Sequence, residues 1–184
     1  MSGETRPPID QELLRKVLEN SPFFRHLKME FVDAADGVAR LSLAIQPFHI
    51  NTQGIVQGGV LCSLADVAGL LAVGTRLSLE QRPRTVQMDI HFLAPAQKGT
   101  LTAAGRIAKM GSLVSVSDVE IQDEAGKTVC MARCTSVLVN VSGDGNFLSK
   151  WGRFANRPYI IPSLEASARP GPCSLPGWKR PAGG

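Results

Sequence analysis

Aromatic residues are scarce in this chain, with two Trp, one Tyr and seven Phe in 184 residues. A core built on large aromatic clusters is excluded, and the plentiful Gly, Ala and Ser favour close packing of backbone on backbone. The four cysteines, Cys62, Cys130, Cys134 and Cys173, contain no CxxC pair, and no secretory leader precedes them. That pattern fits free thiols in a reducing, cytoplasmic setting. Cys130 and Cys134 have no neighbouring His or second Cys pair, so two strand thiols are expected there, with no metal and no cofactor. A membrane span is also missing. The apolar run from Gly58 to about Leu77 is too short and is broken by Asp66, Gly69 and Gly74.

The formal charge is +4, but its position decides what it means. From Ser142 onward, Lys150, Arg153, Arg157, Arg169, Lys179 and Arg180 face only Asp144 and Glu165, which accounts for the whole excess. The body before Ser142 is balanced, so a solvated basic tail is expected and no nucleic-acid partner. The length suits one domain with extensions.

After a flexible start, Ile9-Asp10 opens a short helix in which Asp10 can cap free amides and Ile9 can pack on Leu14. Alternating segments follow at Lys28 to Ala34 and Val38 to Ile45, joined at Asp36-Gly37, a hairpin signal. Gly58 to about Leu77 is apolar on nearly every face, which marks a buried helix. Four more strand-like segments run from Thr85 to Leu93, Thr100 to Met110, Leu113 to Gln122 and Thr128 to Val141. Strand, strand, helix and four strands make an α+β order, with one helix wrapped by a long antiparallel sheet.

The chemistry concentrates between His49 and Asp66. Gly58-Gly59 at a helix start exposes unpaired amides without side chains in the way, and the helix dipole adds positive potential. Such a site can stabilise an oxyanion, although a glycine pair also serves plain helix-sheet packing. A carboxylate at Asp66 inside an apolar helix is costly unless paired or hydrogen-bonded, so either a structural bond or a functional role must hold it there. Eight residues of helix put about 12 Å between Gly58 and Asp66. One reacting carbon cannot touch both in the same chain, so if they cooperate a second subunit supplies one of them, and a homo-oligomer with composite sites is expected.

The stretch Asn51, Gly54, Gln57-Gly58-Gly59 and Leu64-Ala65-Asp66 resembles the signature of hotdog-fold acyl-CoA thioesterases of the phenylacetate-degradation and 4-hydroxybenzoyl-CoA type. The resemblance continues through Thr85-Val86-Gln87-Met88 and Phe92-Leu93-Ala94-Pro95-Ala96, covering about Lys28 to Val141. It implies a hotdog fold over 28–141; outside it, pattern and composition leave an N-terminal extension with a short helix over 1–27 and a flexible, basic Pro/Gly-rich tail over 142–184. The resemblance also implies hydrolysis of an acyl-CoA thioester by a dimer or dimer of dimers. In that reading the Gly58 amide polarises the carbonyl, Asp66 of the partner subunit activates water or attacks, and Thr85 helps place the water. Thr85 is equally an ordinary strand former, and Asn51 either braces the loop or simply turns it.

The family's usual His before the glycine pair is Gln57 here, which can hydrogen-bond but cannot shuttle a proton near neutral pH. His49 and His91 are expected to be loop and strand residues rather than substitutes. Gly59 and Leu61, with Leu64 and Val67, are expected beside the acyl group, and Arg84, Arg106 and Lys109, with Lys98, beside the CoA phosphates. Two other readings remain. A hydratase of the same fold lacks its histidine here, and a non-catalytic acyl-CoA binding or sensing protein would explain Gln57 as lost chemistry.

Overall fold

The structure, a computed structural model, describes residues 9–140, so the expected basic tail over 142–184 lies outside the described residues. Helix α1 (Gln11–Glu19) starts after Asp10, whose backbone carbonyl accepts from the Leu13 and Leu14 amides at 3.1 Å. The Asp10 side chain makes no capping bond, contrary to the sequence expectation. A second helix, α2 (Pro22–His26), was not anticipated. Ser21 Oγ accepts from the Phe24 amide at 3.4 Å, and Pro22 in the first turn supplies helical φ at no hydrogen-bond cost. Leu14 and Phe24 both enter the core, so this extension is packed onto the domain rather than appended to it.

Strands β1 (Met29–Ala35) and β2 (Val38–Ala44) form the expected hairpin. Asp36 and Gly37 both have positive φ, +51° and +82°, matching the twist of a two-residue hairpin turn. The remaining strands are β3 (Gln81–Phe92), β4 (Thr100–Met110), β5 (Val114–Gln122) and β6 (Thr128–Asn140). They build one antiparallel sheet in the order β1-β2-β4-β5-β6-β3. Strand β3 begins before Pro83 rather than after it. It is an edge strand, the place where a sheet can carry a proline.

Helix α3 (Gly58–Gly74) lies across the sheet, as the α+β order required. Its small residues allow close approach. A Cβ on Gly105 of β4 would sit 2.4 Å from the Ala68 carbonyl oxygen, and one on Gly69 would sit 2.8 Å from Ser117 Oγ. Leu64 is fully buried, which contributes about 1.5–3 kcal/mol. The helix stops three residues short of Leu77. There Thr75 Oγ1 donates to the Ala72 carbonyl at 2.7 Å and accepts the Gly37 amide at 2.7 Å, tying the helix end to the β1–β2 turn. Among the described residues, no helix is long and apolar enough to cross a membrane.

The helix is not wrapped on every side. Leu61, Leu64, Ala65, Ala68 and Ala72 face the sheet, whereas Gly59, Cys62, Ser63, Asp66, Val67 and Leu70 form a partly open stripe at helical spacing.

Candidate active site

The loop into α3 is held by Asn51. Its Oδ1 accepts the amides of Gln53 at 2.9 Å and Ile55 at 3.3 Å, and its own amide donates to the Ile55 carbonyl at 2.8 Å. Gly54, at φ +77°, makes the turn these bonds close. Fully buried His49 anchors the loop from the other side. Its Nδ1 accepts the Gln46 amide at 3.1 Å, so Nε2 carries the proton and donates to the Leu27 carbonyl at 3.0 Å. Burial holds its pKa below the usual 6.5, against the opposing pull of that carbonyl. The His49 carbonyl then accepts the Gln57 amide at 2.8 Å. His49 is thus a structural bolt.

Gln57 is the N-cap of α3, exposed, and its side chain makes no capping bond. The next two amides, of Gly58 and Gly59, find no acceptor among the described residues. A Cβ on Gly58 would lie 3.2 Å from Cζ of Phe92, so that ring covers the glycine on the β3 side; a Cβ on Gly59 would meet nothing within 4 Å. One side of the helix start is walled and the other open. Phe92 itself is 54% exposed. Its role beside Gly58 was not legible in the sequence.

Two turns further along α3, Asp66 Oδ1 accepts the hydroxyl of Thr85 at 2.6 Å. The β3–β6 register shifts between Thr85 and Gln87, leaving Val86 as an extra residue. Without that bulge, Thr85 would point to the face opposite Met88 and Ile90, which pack on the core. With it, all three face α3, and the bulge aims Thr85 at the carboxylate.

The other expected site residues are dispersed. Leu61 is packed into the protomer's own core, because the helical period puts it on the sheet-facing side with Leu64. Arg84 is exposed on β3 next to Thr85. Arg106 is on the outer face of β4, opposite Val38 and Asp118, and Lys109 is exposed beyond a register shift after Ile107. Within one protomer, neither of these two is brought to Asp66. Sequence reasoning also passed over Ser115, Ser117 and Ser136, all fully buried on the inner face of β5 and β6.

This fold is also that of a Haemophilus influenzae thioesterase, at a TM-score of 0.68 and 23% identity, covering 74% of this chain and 95% of that one. The Escherichia coli PaaI protein of the phenylacetic acid degradation operon superposes at a TM-score of 0.62 with 27% identity, over 66% of this chain and 87% of that one. Residues 53–130 match the thioesterase superfamily. The Escherichia coli medium/long-chain acyl-CoA thioesterase YigI is 30% identical over 132 residues, 64% of this chain and 85% of that protein. A Haemophilus influenzae putative esterase is 32% identical over 132 residues, 71% of this chain and 94% of that protein. The chain belongs to the thioesterase superfamily. As a superfamily member it is a hotdog-fold thioester hydrolase, and the matched span runs from the loop before α3 into β6. That span contains the Gly58 amide, Asp66 and Thr85.

Proposed function

We propose that this thioesterase hydrolyses acyl-CoA thioesters as a homodimer, with the Gly58 amide of one subunit polarising the carbonyl and Asp66 of the other activating the attacking water. The observation that carries the reading is the aimed carboxylate, Asp66, fixed by Thr85 on the open stripe of α3. Acyl-CoA as the substrate class is drawn from the relative named for it.

The spacing supports this reading: about 12 Å of α3 separates Gly58 from Asp66, so if the two act on one carbonyl a second subunit supplies one of them. A second copy has a natural place to dock. Among the described residues, strand β3 presents an unpaired edge, Val86 and Phe92 on it are largely exposed, and the α3 stripe beside it is only partly covered. A partner laid along β3 brings its own α3 stripe opposite this one, and the acyl chain then lies against Val67 and Leu70 rather than Leu61.

In the proposed cycle the thioester carbonyl oxygen takes the Gly58 N–H. Asp66 removes a proton from water as its oxygen attacks the carbonyl carbon, and collapse of the tetrahedral intermediate expels CoA thiolate. Gln57, at the mouth of the helix, hydrogen-bonds the substrate but supplies no proton. Arg84 is the cation nearest in sequence to this site for CoA phosphates.

The test is release of free thiol from hexanoyl-, dodecanoyl- and benzoyl-CoA by the protein and by Asp66→Ala. Turnover that disappears with Asp66 supports the reading. Binding without turnover by the unmodified protein would make it a sensor, and full activity of Asp66→Ala would remove the carboxylate from the mechanism.

A further inference from the structure

The sequence of β5 alternates in two opposite ways. Its first half offers Val114 and Val116 for the core, with Ser115 and Ser117 for solvent, yet the strand adopts the other phase. Ser115 and Ser117 point inward, fully buried, in line with Val119 and Ile121, while Val114 is 39% exposed. The neighbouring inward position on β6 is Ser136, also fully buried. None of these three hydroxyl oxygens has a hydrogen-bond partner among the described residues. Burying a hydroxyl without a partner is costly, and three in one patch call for something that satisfies them.

Their placement says what they serve. Ser115 is directly opposite Ser136, and Ser136 is directly opposite Thr85. The hydroxyls of Ser115, Ser136 and Thr85 therefore form a row across β5, β6 and β3 that ends on the Thr85–Asp66 bond. Ser117 stands apart, its oxygen closed off beneath Gly69. The carboxylate borders the same patch. The Cys134 thiol, two residues before Ser136, is pushed up to about 11 by burial first, with the nearby Asp66 and Asp118 charges adding to it.

We propose that Ser136 and Ser115 are positioning residues that hold internal water against Thr85, so that the Thr85 hydroxyl can donate only toward Asp66. A hydroxyl has one proton and two acceptor lone pairs. Thr85 gives its proton to Asp66, so a donor from the serine row fills its acceptor side, and every bond in the row then points toward the carboxylate. Neighbouring strands lie about 4.7–4.9 Å apart, a spacing one water can bridge. Without the row, the Thr85 hydroxyl can turn away and the carboxylate loses its fixed direction.

This inference rests on the reading of Asp66 as the catalytic carboxylate. Its test uses the full chain with the best of the three acyl-CoA substrates named above. Ser136→Ala should lower kcat about tenfold, the order expected for one neutral hydrogen bond, with KM changed by less than about twofold. Added to Thr85→Val, the same substitution should change kcat by less than about twofold, because both act through one hydroxyl. Ser115→Ala should show a smaller loss of the same kind, and neither serine variant should have a raised Tm. Wild-type kcat in Ser136→Ala would overturn the proposal. So would a loss that multiplies with that of Thr85→Val, or a raised Tm, which would mark the hydroxyl as an orphan. If Asp66→Ala stays active, the mechanism itself fails rather than the role of the row.

Discussion

The Thr85 hydroxyl donates to Asp66 Oδ1 at 2.6 Å, joining the sheet's edge strand to the partly open stripe of α3. A hydrogen bond to a charged group is worth about 1.5–3 kcal/mol, and here it fixes which carboxylate oxygen is left free. Thr85→Val should reduce kcat about tenfold or more while leaving KM nearly unchanged, and Thr85→Ser should recover most of it. Steady-state kinetics of the two variants decide this. Activity kept in Thr85→Val and lost in Thr85→Ser would mean that β-branching, not the hydroxyl, is what the site needs.

The helix start allows a backbone donor to be removed cleanly. Gly58 is the first residue of α3, and Gln57 before it has φ −59° and ψ 131°, a conformation that suits the residue preceding a proline. Gly58→Pro deletes the N–H with little backbone change, while Gly58→Ala keeps the N–H and meets the same Phe92 ring. The account predicts a loss of about 10²–10³ in kcat for proline and a much smaller one for alanine. A Cβ on Gly59 would meet nothing within 4 Å in its own protomer, so Gly59→Ala should leave the fold of the protomer intact.

Packing of α3 on the sheet gives a stability prediction. A Cβ at residue 105 would lie 2.4 Å from the Ala68 carbonyl oxygen and 2.7 Å from its carbon, both backbone atoms that cannot step aside. Gly105→Ala should therefore destabilise by about 1–3 kcal/mol or more, read as a lowered urea midpoint. An unchanged midpoint would mean that helix and strand are further apart than this.

Buried His49 makes stability depend on pH. Its folded-state pKa is depressed below 6.5, so between that depressed value and 6.5 the unfolded chain binds a proton that the folded chain refuses. The contribution is full above about pH 6.5 and is lost as pH falls below it. Urea midpoints measured from pH 8 down to pH 5 should drop, and His49→Gln should be less stable at pH 8 yet show a shallower drop. An equal slope in that variant would assign the pH dependence to other groups.

Much of this was legible in the residues, and the exceptions share a physical cause. Gly58 and Gly59 stand out because they open an apolar helix with no side chains, and Asp66 because it breaks that helix's apolar run. The hairpin at Asp36-Gly37 stands out because only such residues take two positive φ values. The same all-round apolarity that marks α3 as buried carries no phase, so nothing told which side met its own sheet, or that Leu61 would lie on it. Helix α2 is too short for a period to show, and Pro22 starts it. On β5, Ser115 and Ser117 alternate with Val114 and Val116, so the alternation alone does not tell that the serines are the buried set. The bulge at Val86, which aims Thr85, leaves no mark in sequence because it depends on how β6 pairs.

The composite site can be tested by pairing two dead subunits. Gly58→Pro and Asp66→Ala chains, each inactive as a homodimer, are co-expressed with different tags, and the mixed dimer is purified. One of its two sites then combines both defects, and the other combines an intact Gly58 with an intact Asp66 from opposite chains. The account predicts thiol release at about half the wild-type rate per dimer. A mixed dimer as inactive as its parents would contradict it.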